Sequence, residues 1–400
     1  LTDIDFEQLL SPSAPGIRTS GELPRGKYDF AIAYPDPGTL PLDGLLRSLK
    51  DALNEEGAGL ALYPDVQGYP PLREFVAAKL NVDRGMAVGP DNVVLGDGSS
   101  QHLAQVIGMF VDPGDVVVTE DYFYSGTLGT FRMNGADIRG VTCDGEGMLP
   151  DVLESVIAVA VREGKRPKMI YTIPSFQNPQ GWTMTLSRRQ ALIDLSHKYG
   201  VPVFEDDCYV DLRYDGESVP SIHSLDPSGQ VMYVGSFSKT VAPGVRMGYF
   251  VGPEEVVGRM RTLRKTGGSG VNQLTALAID RFGRSELPAH IVAINEVQRT
   301  RRDAMTAALG ENFGDQAEWT TPEGGLYLWM KTAEGTDIAG LRDEALNSGV
   351  GYQPGPMFAP DGVSGKNYAR LCFGYNNPTE IHEGIARMAE VFAKAGVLEG

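Results

Sequence analysis

The sequence predicts an α/β fold, a large domain with a mostly parallel sheet flanked by helices, followed by a smaller α+β domain. Three observations carry this reading. From about residue 92, short apolar runs alternate with helical stretches, the order expected of parallel strands joined by helical crossovers. After about residue 285 the texture changes to one long helix, two apolar runs and a last helix. Finally, 400 residues exceed what one simple core organises, and an apolar content of 42% is enough to build two.

Taken in order, the first forty-one residues carry prolines at 12, 15, 24, 35, 37 and 41 and read as an arm that needs a surface to lie on. "DGLLRSLKDALN" places Leu45, Leu46, Leu49 and Leu53 on one helical face, and "PPLREFVAAKL" repeats the pattern with Leu72, Phe75, Val76 and Leu80 behind a proline start. "NVVLGDG", "DVVVTED", "KMIYTIPSF" and "VPVFEDD" read as strands. "SSQHLAQVIGMF" between them is a helix with Leu103, Val106, Ile107 and Phe110 inward. "SRRQALIDLSHKYG" is a helix opened by a Ser187–Gln190 capping box and closed by Gly200. The expected division is an arm over 1–45, a large domain over 46–285 and a small domain over 286–400, with the break inside "PAHIVAINEVQRTRRDAMTAAL".

The formal net charge of −17 argues against a nucleic-acid partner, because such a surface repels phosphate backbones. Three scattered cysteines, at 143, 208 and 372, point to a reducing compartment rather than a disulfide framework. The N-terminus lacks the basic start and apolar core of a secretory signal, and no apolar run reaches membrane-spanning length. A soluble cytoplasmic protein is expected. The five histidines lack metal-ligand spacing, so no metal is assigned.

Polar residues collect where strands end, which is where ligands gather in such sheets. Gly98, Ser99, Ser100 and Gln101 stand between a strand and a helix and could hold an anion. Tyr124, Asn178, Asp206 and Tyr209 follow other strands, and "GSFSKTVAPGVRMGY" adds Ser236, Ser238, Lys239 and Arg246. Each fragment alone has a plain alternative. Lys239 by itself reads as a solvated charge and Arg370 as a surface pair; Asp207 reads as a charged strand end and Cys208 as packing.

Together, "YPDVQGYPPLREFVA", "GSSQ", "NPQG", "EDDCY", "SFSKTVAPGVRMGY" and "ARLCFGY" resemble, in order and spacing, the fold-type I pyridoxal-phosphate enzymes. The similarity is to class I/II aminotransferases near the 2-aminoadipate and kynurenine enzymes and the aminotransferase-like (MocR-type) domains of regulators. The resemblance implies a homodimer that uses pyridoxal 5'-phosphate to move an amino group from an α-amino acid to a 2-oxo acid. It implies that Lys239 forms the Schiff base and relays the α-proton, that Asp206 pairs with the ring nitrogen, and that Tyr209 and Asn178 bind the phenolic oxygen. Tyr124 would stack on the ring. Ser99, Ser100, Gln101, Ser236, Ser238 and Arg246 would hold the phosphate, with Tyr63 reaching the neighbouring subunit's phosphate and Arg370 holding the substrate carboxylate. Arg18, in "PGIRTS", resembles the N-terminal arginine that meets acidic side chains in 2-aminoadipate-type relatives, whereas Ala33 and Tyr34, in "AIAYPDP" where relatives are glycine-rich, are the expected substrate-side departures. Those departures keep decarboxylation, elimination, cyclisation or oxidative deamination open on the same cofactor. A non-catalytic effector-binding domain is the weaker alternative, since the acidic charge argues against DNA.

Overall fold

The computed structural model describes residues 4–10, 25–267 and 270–398; Arg18 lies outside them. Seven strands form the main sheet: β1 (Val93–Gly96), β2 (Val116–Glu120), β3 (Asp137–Val141), β4 (Ile170–Thr172), β5 (Val203–Asp206), β6 (Val231–Ser236) and β7 (Gly248–Val251). Their spatial order is β1-β7-β6-β5-β4-β2-β3. The strands from β6 across to β3 are parallel, and β7 runs antiparallel to both β6 and β1. A parallel neighbour needs a helical crossover, whereas the 237–247 loop simply turns the chain back. That turn carries Lys239 and Arg246 to the edge where β2, β4, β5 and β6 all end.

The central strands are apolar on both faces because helices cover both. Leu103, Val106 and Ile107 of the Ser99–Phe110 helix and Met260 of the Glu254–Gly267 helix pack with Val117, Phe204 and Val234 on one face. Leu153 and Ile157 of the Pro150–Arg162 helix, with Leu192 and Ile193, pack on Val116, Val118 and Val203 on the other.

A second, four-stranded antiparallel sheet follows in the order Ala317–Trp319, Tyr327–Thr332, Tyr368–Cys372, Gln353–Pro354. The long Leu287–Phe313 helix and the Pro378–Lys394 helix cover it with Leu309, Phe313, Ile385 and Phe392. Phe30 joins this core, and the short strand Tyr28–Asp29 pairs in parallel with Val350–Gly351. Among the described residues, no helix is long and apolar enough to cross a membrane.

Two local readings are corrected. The Leu42–Glu56 helix buries its leucines only in part: Gly44, Ser48 and Ala52 face inward, Leu45, Leu49 and Leu53 are half-buried and Leu46 is left 67% exposed. Close approach explains the choice, since a Cβ on Gly44 would stand 2.9 Å from the Phe282 ring. The Leu186–Tyr199 helix starts one residue earlier, with Thr185 rather than Ser187 at the N-cap position and no side-chain cap, because the Arg189 amide already donates to the Thr185 carbonyl at 3.0 Å. Gln190 turns instead to Asp194 at 3.0 Å, and Gly200 ends the helix at φ 63° as expected. A true capping box sits at Asn377 and Glu380.

Asp207 is a structural residue but not a solvated one. Its Oδ2 accepts from Arg84 at 2.9 Å and from the Tyr233 hydroxyl at 3.2 Å, all buried under the sheet. Removing one partner of such a pair typically costs about 3–5 kcal/mol, so this pair locks the strand end that presents Asp206 on its opposite side.

Candidate active site

The ends of β4, β5 and β6 and the 237–247 turn enclose a cavity of about 260 Å³ lined by Ser99, Ser100, Tyr124, Asp206, Tyr209, Ser236, Ser238, Lys239 and Arg246, with Tyr34 at its wall. Lys239 reaches into it and donates from Nζ to the Ala33 carbonyl at 2.9 Å. Burial draws its proton affinity down, aided by Arg370 and Arg246 and opposed by Cys372 and Cys208.

Asp206 closes β5 and is buried. Burial raises its pKa; hydrogen bonds from Cys208 and Tyr171 work against that rise. The Tyr171 hydroxyl donates to Asp206 Oδ2 at 2.7 Å and lies 3.1 Å from Thr127 Oγ1. Tyr209 shares a 2.5 Å hydrogen bond with the Tyr327 hydroxyl. Arg370 stacks 4.5 Å over the Tyr327 ring, donating to Asn178 Oδ1 at 3.0 Å and to the Ala31 carbonyl at 2.6 Å. Arg370 and Asn178 therefore lie beside Tyr327, at the edge of the cavity rather than among the side chains that line it.

Two other expected residues are not in the cavity. Gln101 turns back, its Oε1 accepting from the Asp97 amide at 2.9 Å. Tyr63 is fully exposed on its own chain. The turn expected to hold an anion is shaped by Gly98, whose φ of 75° opens the Ser99–Phe110 helix. A Cβ there would collide with Arg246 Nη2, so only glycine lets that guanidinium meet the helix N-terminus.

The match to known proteins accords with this geometry. Residues 33–387 match the model of the family described as aminotransferase class I and II. The chain belongs to this family. This aminotransferase is 33% identical over 396 residues to the aromatic-amino-acid aminotransferase 1 of Thermococcus litoralis, covering 97% of this chain and 94% of that one. It superposes on the Pyrococcus horikoshii kynurenine aminotransferase with a TM-score of 0.91 at 32% identity, over 98% of each chain. The α-aminoadipate aminotransferase LysN of Thermus thermophilus, complexed with N-(5'-phosphopyridoxyl)-L-leucine, gives a TM-score of 0.88 at 28% identity, covering 98% of this chain and 99% of that one. The enzyme is a pyridoxal-phosphate-dependent aminotransferase of fold type I.

The residues present fit that cofactor. A buried amine, a buried carboxylate, an aromatic face at Tyr124 and hydroxyls around a helix N-terminus converge on one cavity. At its edge, the buried Asn178 Nδ2 and Arg370 Nε have no partner among the described residues, so polar capacity is left over on the substrate side.

Tyr171, Tyr327 and Ile173 of this aminotransferase's site were not anticipated. A tyrosine inside the apolar run "KMIYTIP" was the available signal, because a buried phenol needs a partner. Glu120, at the end of β2, is a further buried acid. Its Oε1 accepts from Thr172 Oγ1 at 2.6 Å and the Ile173 amide at 2.7 Å, and burial pushes its pKa from 4.5 up to about 8. Between those two values the folded chain holds one more proton than the unfolded one. Stability therefore falls as pH rises through this window, by up to about 1.4 kcal/mol per pH unit, and levels above it. Glu120→Gln is expected to flatten that decline in urea unfolding followed between pH 5 and 8.5; an unchanged slope counts against the assignment.

Proposed function

We propose that the 260 Å³ cavity is where the amino group is exchanged between an α-amino acid and a 2-oxo acid, with Lys239 as the covalent and proton-carrying residue. The observation that carries the reading is a buried lysine, its proton affinity lowered, in one cavity with a buried aspartate and an anion cradle. Pyridoxal phosphate, when bound, supplies the aldehyde for the amino group and a cationic ring that takes up the electron pair left by the α-proton.

Each residue then has a task. Lowered proton affinity leaves more of Lys239 Nζ unprotonated and nucleophilic, and the same atom takes and returns the α-proton. Asp206, placed by Tyr171, holds a proton on the ring nitrogen. Tyr209 and Asn178 would hold the phenolic oxygen, and Tyr124 would cover the ring. Ser99, Ser100, Ser236, Ser238 and Arg246 hold the phosphate, with Gln101 bracing the turn beneath it. Arg370 forks onto the substrate α-carboxylate, its plane set by the Tyr327 ring. The wall of Ala33, Tyr34, Ile173 and Tyr327 suits an aromatic or aliphatic substrate side chain.

The cavity is completed by a second copy of the chain. Leu42, Leu46, Leu62 and Tyr63 lie exposed between 63% and 102%, an apolar surface that favours a homodimer with Tyr63 delivered to the partner's phosphate. Leu46→Glu is expected to shift the dimer toward monomer in sedimentation at micromolar concentration and to lower activity in parallel; a variant that stays dimeric argues for another interface. The division into an arm over 1–45, a cofactor domain over 46–285 and a substrate-side domain over 286–400 goes with this reading, as does a cytoplasmic location for a chain whose three cysteines are free.

The test is a single turnover with an excess of each amino acid. Transamination moves the cofactor's absorbance from about 420 to about 330 nm and releases a 2-oxo acid. A product lacking carbon dioxide or the β-substituent, without that shift, overturns the transaminase assignment.

A further inference from the structure

Seven arginines are buried among the described residues, and five of them face a carboxylate within 4.0 Å: Arg73, Arg84, Arg189, Arg301 and Arg302. The two that do not are Arg370 and Arg264. The first is accounted for by a substrate carboxylate. The second is not.

Arg264, on the Glu254–Gly267 helix, is 1% exposed. Its Nε and Nη2 donate to Gln105 Oε1 at 3.1 and 3.0 Å, Nη1 to the Val66 carbonyl at 3.3 Å and to the Leu95 carbonyl, and Nη2 to Gln101 Oε1 at 3.4 Å. His102 Nδ1 lies 3.3 Å away, on a ring that burial keeps neutral. All these partners are uncharged. Burial lowers the guanidinium pKa to about 10, which still leaves it charged at neutral pH. A buried cation with neutral partners is costly, and a negative charge close by relieves the cost.

The hydrogen bonds show where that charge belongs. Gln101 Oε1, held by Arg264, also accepts from the Asp97 amide at 2.9 Å, and the Asp97 carbonyl accepts from Arg246 Nη2 at 2.7 Å. Leu95, the other main anchor, is the next-to-last residue of β1, just before the same turn. Arg264 thus grips from behind the 96–98 turn that forms the anion cradle in front.

We propose that Arg264 is a positioning residue of the phosphate cradle, holding the 96–98 turn in place and having its buried charge balanced across that turn by the cofactor's phosphate dianion. The inference rests on the phosphate assignment to Ser99, Ser100 and Arg246. It makes the cofactor-free chain carry an unmatched buried charge that phosphate binding relieves.

The test compares wild type, Arg264→Met and Arg264→Lys, each as the full chain stripped of cofactor, binding pyridoxal 5'-phosphate or pyridoxal, which lacks the phosphate. Arg264→Met is expected to weaken pyridoxal phosphate by about 10-fold or more while changing pyridoxal by less than about 3-fold, and Arg264→Lys is expected to fall between. The melting temperature of wild type should also gain more from inorganic phosphate than that of Arg264→Lys, a comparison that stands even if Arg264→Met does not fold. Equal weakening of both ligands, unchanged affinity, or equal gains with phosphate overturn the proposal. A wild type that binds both ligands alike overturns the cradle assignment as well.

Discussion

Lys239→Ala is expected to lower turnover by about 10⁴-fold or more while leaving the cofactor bound. Proton transfer by a placed side chain is worth about 10²–10⁴-fold, and here the same side chain is also the nucleophile. Truncation removes the single hydrogen bond from Nζ to the Ala33 carbonyl and relieves a buried amine, so folding should survive. The cradle at Gly98, Ser99 and Arg246 remains to hold the phosphate. Borohydride reduction of wild type should label a peptide containing Lys239, and the variant should show no label. Activity within tenfold of wild type, or a label at another position, rules out the assignment.

Asp206→Asn is expected to reduce turnover by about 10²–10³-fold, the usual effect of removing one preorganised charge from a reacting centre. Its effect on the cofactor-free fold should be opposite in character. Burial raises the Asp206 pKa above 3.8, so the folded chain resists ionising it. The stability it contributes is present below 3.8 and is lost as pH rises through the raised value. At neutral pH the carboxylate is therefore a burden until a ring-nitrogen proton faces it. Asparagine can still accept from Tyr171 and carries no charge. The cofactor-free variant should melt no lower than wild type at pH 7, even as its activity drops. A matching loss of stability would mark Asp206 as structural.

The pattern shared by these two positions, activity lost while the fold is kept, reflects one arrangement. A lysine and an aspartate that are both poorly solvated, facing one cavity, are each less stable in their charged form than in water. The proposed phosphate site adds the reverse imbalance, an excess of donors and positive charge at Arg246 and Arg264. Each imbalance calls for a ligand with a protonated ring and a dianionic group.

Much of this was legible from the residues alone. Alternating apolar runs and helical periods report burial on both faces of a parallel sheet, so the strands holding Val93, Val116, Ile170 and Val203 stood out. Motifs with local geometry were equally clear: Gly98 before a helix, and Lys239 and Arg246 in one short turn. Amphipathicity misled at Leu45–Leu53, because an apolar stripe has the same pattern whether it faces its own core or another surface. Gly44, Ser48 and Ala52 show no hydrophobic signal, although close helix approach is what they provide.

By itself, then, the sequence determined the order of the elements, a lysine in a short turn between two strands and the polar groups at the strand ends, since these follow from short-range pattern and side-chain chemistry. Only the tertiary structure decided which of those groups meet. Tyr171 reaches Asp206 from 35 positions away and Arg264 reaches Leu95 from 169. Such partnerships are set by strand order and helix packing, and a hydrogen bond between distant residues leaves no periodic trace along the chain.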